Sequence, residues 1–173
     1  MNKLPNHTAL KEWASAIAAL GRGEQVILIR KGGIADPKFG LEATRFYLFP
    51  TNFHDGGGPP PSAVPISHWC EVVQTWEIRD LNALLRLEPL VVFDRQTLET
   101  RYRFRPDQAV HVIAVRTWAL RQPVQITMTE AYAGCRSWVS LDEEIDIQGS
   151  RPVLSDSDLQ AKIEEVSASL PWN

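Results

Sequence analysis

The stretch VHVIAVRTWAL, residues Val110–Leu120, decides what kind of fold this chain can adopt. It is the longest strand candidate in the sequence, and only His111, Arg116 and Thr117 interrupt its apolar character. A run that is apolar on both faces predicts a strand covered on both sides. Val110–Leu120 is therefore expected at the centre of a β-sheet.

Further strands are predicted on both sides of this one along the chain. Alternating apolar and polar residues indicate half-buried strands at His68–Ile78 and Val124–Met128. Shorter strands are predicted at Val26–Ile29, at Phe46–Phe49, where Pro50 would end the strand, and at Ser137–Leu141. The segment from His54 to Ser67 contains the run GGGPPP and is predicted to be an exposed loop.

Helical patterns lie near both ends of the chain. Apolar residues at helical spacing predict an N-terminal helix over Thr8–Leu20. Ser155 followed by Asp158 resembles a capping box and predicts a C-terminal helix that ends before Pro171. Between them, Asp80 can cap a short helix.

These elements favour an α+β fold in a single domain over residues 1–173, because strands follow one another without regular helical crossovers. The sheet is expected to be mixed or largely antiparallel, with barrel-like closure as an alternative. An N-terminal and a C-terminal helix complete it.

Charge and cysteine content narrow the function classes. The segment from Asp142 to Glu165 carries a net charge of −6, so the remainder carries +3 out of the total of −3. This asymmetry permits a basic face on the body of the domain, although an ordinary solvated surface has the same composition. No signal core or membrane span is visible, so we expect a cytoplasmic protein without a membrane partner. Cys70 and Cys135 are expected to be reduced.

Several common enzyme signatures are absent from the sequence. It contains no G-x-G-x-x-G, no Walker P-loop, no H-E-x-x-H and no G-x-S-x-G motif. The acid-x-lysine spacing of a restriction-type nuclease occurs only at Asp36-Pro37-Lys38, where proline argues against a strand. The sequence therefore indicates no cofactor and no metal site.

Two basic segments are candidate anion or nucleic-acid sites. Arg30-Lys31-Gly32-Gly33 follows a predicted strand and could offer both charge and backbone N–H groups; a solvent-exposed turn is the alternative. The second segment interleaves arginines with aromatic residues, as nucleic-acid surfaces do: Arg101, Tyr102, Arg103, Phe104 and Arg105. If this segment is extended, its arginines share one face; an amphipathic edge with buried aromatic rings is equally compatible.

Isolated polar residues offer weaker candidates. Arg116 interrupts the central strand and must either pair with an acid such as Glu42 or Glu71, which is favoured, or reach solvent at the end of the strand. His54, His68 and His111 could include a general base, although a histidine without a partner is more often structural. Cys135 could be a nucleophile, but a buried small hydrophobic side chain is the favoured interpretation.

Four short segments together resemble a bacterial and archaeal family known as domain of unknown function 1802. They are Ala9-Leu10-Lys11-Glu12-Trp13, Arg30-Lys31-Gly32-Gly33-Ile34, Phe46-Tyr47-Leu48-Phe49-Pro50-Thr51 with His54, and Gly134-Cys135-Arg136-Ser137-Trp138-Val139. The chain departs from the family pattern at Asp55, where glutamine is common, and at Ala133, where a second glycine is common.

The resemblance implies no established activity. It implies that some relatives are joined to restriction-endonuclease-like domains, which suggests a role in restriction-modification, with DNA or a restriction-system protein as partner. The leading hypothesis is an accessory nucleic-acid-binding or regulatory module. One alternative is a small enzyme for an anionic, phosphorylated substrate, with Lys31 and Arg116 supplying charge and His54 or Cys135 supplying proton transfer or attack. The other is a structural protein-interaction module.

A functional site would require the family-like segments to converge. We expect Lys31, Gly32 and Gly33 to line one depression with His54 and the stretch from Gly134 through Cys135 and Ser137 to Trp138. Packing alone would not require this, because each segment could be retained for its hydrophobic residues.

Overall fold

The computed structural model describes residues 2–31, 38–52, 59 and 61–170 of the chain. Within these residues the strands are β1 (Thr8–Trp13), β2 (Ile27–Arg30), β3 (Arg45–Thr51), β4 (Ala63–Ile78), β5 (Val110–Thr127), β6 (Trp138–Ser140) and β7 (Arg151–Pro152). The helices are α1 (Ala14–Gly21), α2 (Leu81–Leu85), α3 (Arg95–Arg103) and α4 (Asp156–Ser169), with 3-10 turns at Glu88–Leu90 and Glu130–Tyr132.

The described strands form one mixed sheet in the order β2-β5-β4-β3-β1-β6, and β7 pairs with β5 off this path. Strands β1 and β3 run parallel, whereas the other pairs among the described strands are antiparallel. The predicted α+β class with a mixed sheet is thus confirmed. The barrel-like alternative is wrong, because no ladder joins β2 to β6 in the part of the chain that the structure describes.

A long antiparallel ribbon of β4 and β5 lies in the interior of the sheet, between the edge strand β2 and strand β3. Its register runs from Ala63 opposite Thr127 to Ile78 opposite Val110. The prediction of a buried, central strand at Val110–Leu120 is confirmed. The prediction of a second, separate strand at Val124–Met128 is wrong, because β5 continues through Pro123. Pro123 lies where the register between β4 and β5 shifts, so its missing N–H costs no hydrogen bond of the ladder.

Two predicted strand boundaries, the start of β4 and the end of β3, are also corrected. Strand β4 begins at Ala63, so the end of the predicted His54–Ser67 loop is part of the sheet. Strand β3 continues through Pro50, which lies opposite Glu12 of β1. Pairing of β3 with β4 ends at Tyr47, so the missing N–H of Pro50 costs no bond on that side.

The N-terminal segment differs most from the prediction. Residues Thr8–Trp13 form strand β1 between β3 and β6, and only Ala14–Gly21 is helical. Ala9 and Leu10 are both fully buried, because β1 is covered on both faces. A short strand of this kind lacks the alternation that separates strands from helices, and pairing with its neighbours overrides its helical spacing.

Two predicted helices and their caps are confirmed. The Ser155 hydroxyl accepts a hydrogen bond from the Asp158 amide at 3.1 Å, which starts α4. The Asp80 carboxylate accepts one from the Ala83 amide at 2.8 Å, which starts α2. In the described residues, no helix is both long and apolar enough to cross a membrane.

Three apolar clusters fill the molecule. One lies between the sheet and the helices α2, α3 and α4, a second packs around Trp69 and Tyr132, and a third packs around Phe46 and Trp138. The third cluster contains Leu28 of β2 and Trp138 of β6. The two edges of the sheet therefore face a common interior, and the next subsection describes the polar groups where they meet.

Candidate anion-binding site

A buried carboxylate lies where strands β1 and β2 approach each other. The side chain of Glu12 in β1 is 0% exposed. Its Oε2 lies 3.3 Å from Nη1 of Arg30 in β2, and its Oε1 lies 3.9 Å from Nη2 of Arg101 in α3. Two guanidinium groups therefore share the single carboxylate of Glu12.

Local backbone contacts fix the position of Glu12. Its Oε1 accepts a hydrogen bond from the Trp13 amide at 2.8 Å, and its carbonyl accepts one from the Thr51 hydroxyl at 3.2 Å. These contacts form where the chain leaves β1 for α1 and where β3 ends. Glu12 is thus positioned by contacts with Trp13 and Thr51 in addition to its contacts with the two arginines.

Arg101 closes the outer edge of β2. Its Nη1 donates to the Ile29 carbonyl at 2.6 Å, and its guanidinium lies 4.1 Å from the ring centroid of Phe93 and 5.0 Å from that of Trp13. Burial lowers the pKa of Arg101, the Glu12 charge opposes that shift and the Arg30 charge adds to it. Arginine stays protonated in proteins, so two positive charges remain beside Glu12.

Arg30 bridges the two edges of the sheet. Its Nη2 donates to the Ser137 hydroxyl at 3.0 Å, just before β6 begins, and its guanidinium lies 5.8 Å from the Phe39 ring. Its Nε is buried and has no hydrogen-bond partner among the described residues. The sheet is open in its backbone pairing, but a side chain spans the opening.

Two lysines flank this triad of Glu12, Arg30 and Arg101. The Lys31 ammonium donates to the Tyr102 carbonyl and lies 5.1 Å from the Tyr102 ring centroid. Burial lowers its pKa and the Asp107 charge opposes the shift. Lys11 extends from the other face of β1, where its ammonium donates to the Gly134 carbonyl at 2.9 Å. Burial lowers the pKa of Lys11 as well, with Cys135 opposing and Arg136 adding to the shift.

The predicted site residues fall into separate groups. The structure brings Arg30, Arg101 and Ser137 together, with Lys31 beside them. Gly134 lies on the Lys11 side of β1, and Trp138 is a core residue whose indole donates to the Gly40 carbonyl at 2.7 Å. Gly32, Gly33 and His54 lie outside the described residues, so the single depression proposed for all these segments stays a prediction.

The arginine-rich segment is a helix and not an extended strand. Arg101 is directed into the protein from α3, whereas the Arg103 side chain is 72% exposed and pairs with Glu99. The expectation that Arg101, Arg103 and Arg105 share one face is therefore wrong, because successive residues of a helix point about 100° apart. Arg105 follows the helix with φ of 50°.

Two further expectations, the partner of Arg116 and the burial of Cys135, are corrected. Arg116 pairs with Asp156 at 2.7 Å rather than with Glu42 or Glu71, because α4 begins above β5. Glu71 pairs instead with Arg45. Cys135 is exposed rather than a buried hydrophobic residue.

The remaining thiol and histidines have structural surroundings. Cys70 is buried, and burial raises its pKa to about 12. His68 Nδ1 lies 2.8 Å from the Ser67 hydroxyl, and burial lowers the His68 pKa. His111 packs against Phe39, and burial lowers its pKa too, with Glu77 opposing. Among the described residues no group of three His, Cys, Asp or Glu side chains could hold a metal ion.

Sequence reasoning missed Glu12 and Lys11 as polar residues of the site. Both lie in a segment that was expected to be helical, where charged residues on the solvent side are ordinary. As a strand, the same segment places two charges between buried neighbours, which demands partners. The available signal was their inclusion in the first family-like segment.

Residues 9–165 match the family described as Domain of unknown function (DUF1802). The chain belongs to this family. Three of the four segments that carried its DUF1802 resemblance meet at the triad: Glu12 comes from the first, Arg30 from the second and Ser137 from the fourth. Thr51, from the third, binds the Glu12 carbonyl.

Structures similar to this DUF1802 chain come from Zymomonas mobilis. The crystal structure of its ASCH protein has a TM-score of 0.47 and 14% identity, over 91% of this chain and 93% of that chain. A serine-to-alanine variant gives 0.47 and 14% over 95% and 99%, and a tyrosine-to-phenylalanine variant gives 0.48 and 14% over 91% and 96%. The curated proteins contain no match.

Proposed function

We propose that this protein is an accessory nucleic-acid-binding module whose phosphate contacts are made by Arg30, Lys31 and Arg101. The observation that carries the proposal is the charge imbalance at the triad: two guanidinium groups lie beside a single buried carboxylate, and Lys31 adds a third cation at the residue after Arg30. Partly buried charges are costly unless they are compensated. A phosphate group supplies the missing negative charge and matches the planar fork of arginine.

The Nε of Arg30, which has no hydrogen-bond partner among the residues that the structure describes, supports the same assignment. Arginine donates five hydrogen bonds in a fixed fork, and a buried donor without an acceptor is unusual. Glu12 and Ser137 already take the two terminal nitrogens of Arg30. An anion that approaches this end of the sheet would complete the fork.

The enzyme alternative is less well supported, because the two cations that it requires lie far apart. It combined Lys31 and Arg116 as the charges that hold one anionic substrate. Arg30 lies opposite His111, whereas Arg116 is five positions further along β5, roughly 16 Å away at the usual rise per residue. One small substrate anion would not reach both cations.

The interaction-module alternative has little support from the surface. The large hydrophobic side chains that are most exposed in the described residues belong to four separate segments: Leu41, Val73, Val92 and Phe104. Each is less than half exposed, and exposed apolar side chains of this kind are normal on a protein surface.

The family resemblance suggests the system in which such a module would act, namely restriction-modification. A nucleic-acid-binding module beside a restriction nuclease would deliver or orient the substrate of that nuclease. Cleavage by such a nuclease, measured with and without this protein, tests the regulatory part of the proposal separately from binding.

Salt-dependent binding tests the proposal directly. The affinity for a short DNA is measured across a range of salt concentrations for the unchanged protein, for Lys31→Gln and for Arg30→Lys. Each phosphate contact that is lost reduces the slope of log affinity against log salt by about one. We expect this reduction for Lys31→Gln, and a loss of affinity with little change of slope for Arg30→Lys, which keeps the charge but not the fork.

Arg45→Gln is the matched control, because it also removes one positive charge but from an exposed pair with Glu71. It should change the slope much less than Lys31→Gln. Absence of binding at low salt, with circular dichroism showing a folded protein, would refute the proposal. Equal slopes for Lys31→Gln and Arg45→Gln would remove the assigned surface.

A further inference from the structure

An exposed aromatic ring follows the helix that carries Arg101. Phe104 is 38% exposed, and the Arg105 guanidinium lies 4.9 Å from its ring centroid. Arg103, the residue before Phe104, has a side chain that is 72% exposed and forms a surface ion pair with Glu99. The segment Arg103–Arg105 therefore carries an exposed ring with one guanidinium, that of Arg105, against it and the exposed Arg103 next to it in sequence.

The backbone of this segment is held in an unusual conformation. Arg105 is the only non-glycine residue with positive φ in the described parts of the chain. Its position before Pro106 makes a helical backbone less favourable still. The Gln108 amide donates to the Arg105 carbonyl at 2.9 Å and closes the turn. Strained residues of this kind persist where the surrounding structure fixes them, and they are concentrated at binding sites.

The same helix end connects this ring to the proposed phosphate contacts. Tyr102 precedes Arg103, and its carbonyl accepts the hydrogen bond from Lys31. Arg101, one residue earlier, reaches Glu12. Arg101 points into the protein whereas Arg103 and Phe104 are exposed, so the ring follows the helix whose inner side carries a proposed phosphate contact.

A nucleotide in a single strand offers a matching pair of groups. Its phosphate meets the cations, while its unpaired base can stack on an aromatic ring. The base in a duplex is already stacked between its neighbours and cannot lie on a surface ring without being unpaired.

We infer that Arg103–Arg105 is a stacking platform for one unpaired nucleobase, so that this protein takes single-stranded rather than fully paired nucleic acid. The inference rests on the proposed function and specifies its ligand. Stacking is tolerant of base identity, so the platform selects strandedness and not sequence.

The test compares Phe104→Ala with Phe104→Trp, which keeps a ring. The probes are single-stranded DNA and RNA ten-mers that contain one 2-aminopurine, and the corresponding DNA duplex. Loss of one stacked base weakens binding roughly tenfold. We expect Phe104→Ala to lose about that factor on single strands together with the quenching of 2-aminopurine fluorescence, and Phe104→Trp to retain both. DNA and RNA arms show whether the 2′-hydroxyl contributes.

Val73→Ala is the matched control, because Val73 is 48% exposed on β4 and lies outside the platform. It should bind like the unchanged protein. Binding that persists with full affinity and full quenching in Phe104→Ala, or that is tighter for the duplex, would overturn the platform while leaving the proposed function intact. Absence of binding to every probe would instead refute the proposed function.

Discussion

At the residue scale, Glu12 is the group on which the candidate site depends. It is fully buried, and the two arginines that it holds come from different elements. Removing one member of a buried ion network leaves the others without compensation, which costs more than the network contributes as a whole. Glu12 therefore determines both where Arg30 lies and how much stability the cluster retains.

Glu12→Gln should destabilise the protein by about 3 kcal/mol, because the amide keeps the shape but leaves both guanidinium groups without a counter-charge. Urea unfolding followed by circular dichroism measures the change. Glu24→Gln is the control, since Glu24 forms an exposed pair with Arg22 and should have no measurable effect. Equal stability of Glu12→Gln and the unchanged protein would show that the triad is not a coupled unit.

At the element scale, strand β2 is an edge strand whose free carbonyls are covered by side chains. Gln25 donates to the Ile27 carbonyl at 2.7 Å and Arg101 donates to the Ile29 carbonyl at 2.6 Å. These are alternate residues, so both carbonyls point away from β5. An exposed edge would invite pairing with another chain, and these contacts prevent it.

Gln25→Met should open this edge. Gln25 is 2% exposed and also accepts a hydrogen bond from the Val92 amide, so its loss leaves the buried Ile27 carbonyl and the part-buried Val92 amide without that partner. The expected cost is about 1–3 kcal/mol for each group, with faster hydrogen exchange at the Val92 amide. Gln122→Met, on the exposed part of β5, should leave exchange at Val92 unchanged. Unaltered exchange in Gln25→Met would contradict the proposed edge protection.

At the scale of the whole molecule, periodicity predicted the elements whose environment is local. The capped helices α2 and α4 and the apolar strand β5 carry their signals in consecutive residues. Strand β1 does not, because its burial comes from β3 and β6, which lie far along the chain. The site was predictable only in part for the same reason. Arg30 and Ser137 were candidate site residues from the sequence, but Glu12 becomes a buried charge that needs partners only when its segment is a strand.

Direct observation of Arg30 tests the central claim, that the cluster binds nucleic-acid phosphate. The Nε–H of Arg30 is buried and unpaired among the described residues, so its proton should exchange slowly enough to be seen by NMR. At low salt, titration with a single-stranded ten-mer should shift this signal until binding is saturated, and added salt should reverse the shift. The Arg116 Nε–H, beside Asp156, should stay in place. A ten-mer that binds without moving the Arg30 signal would contradict the claim.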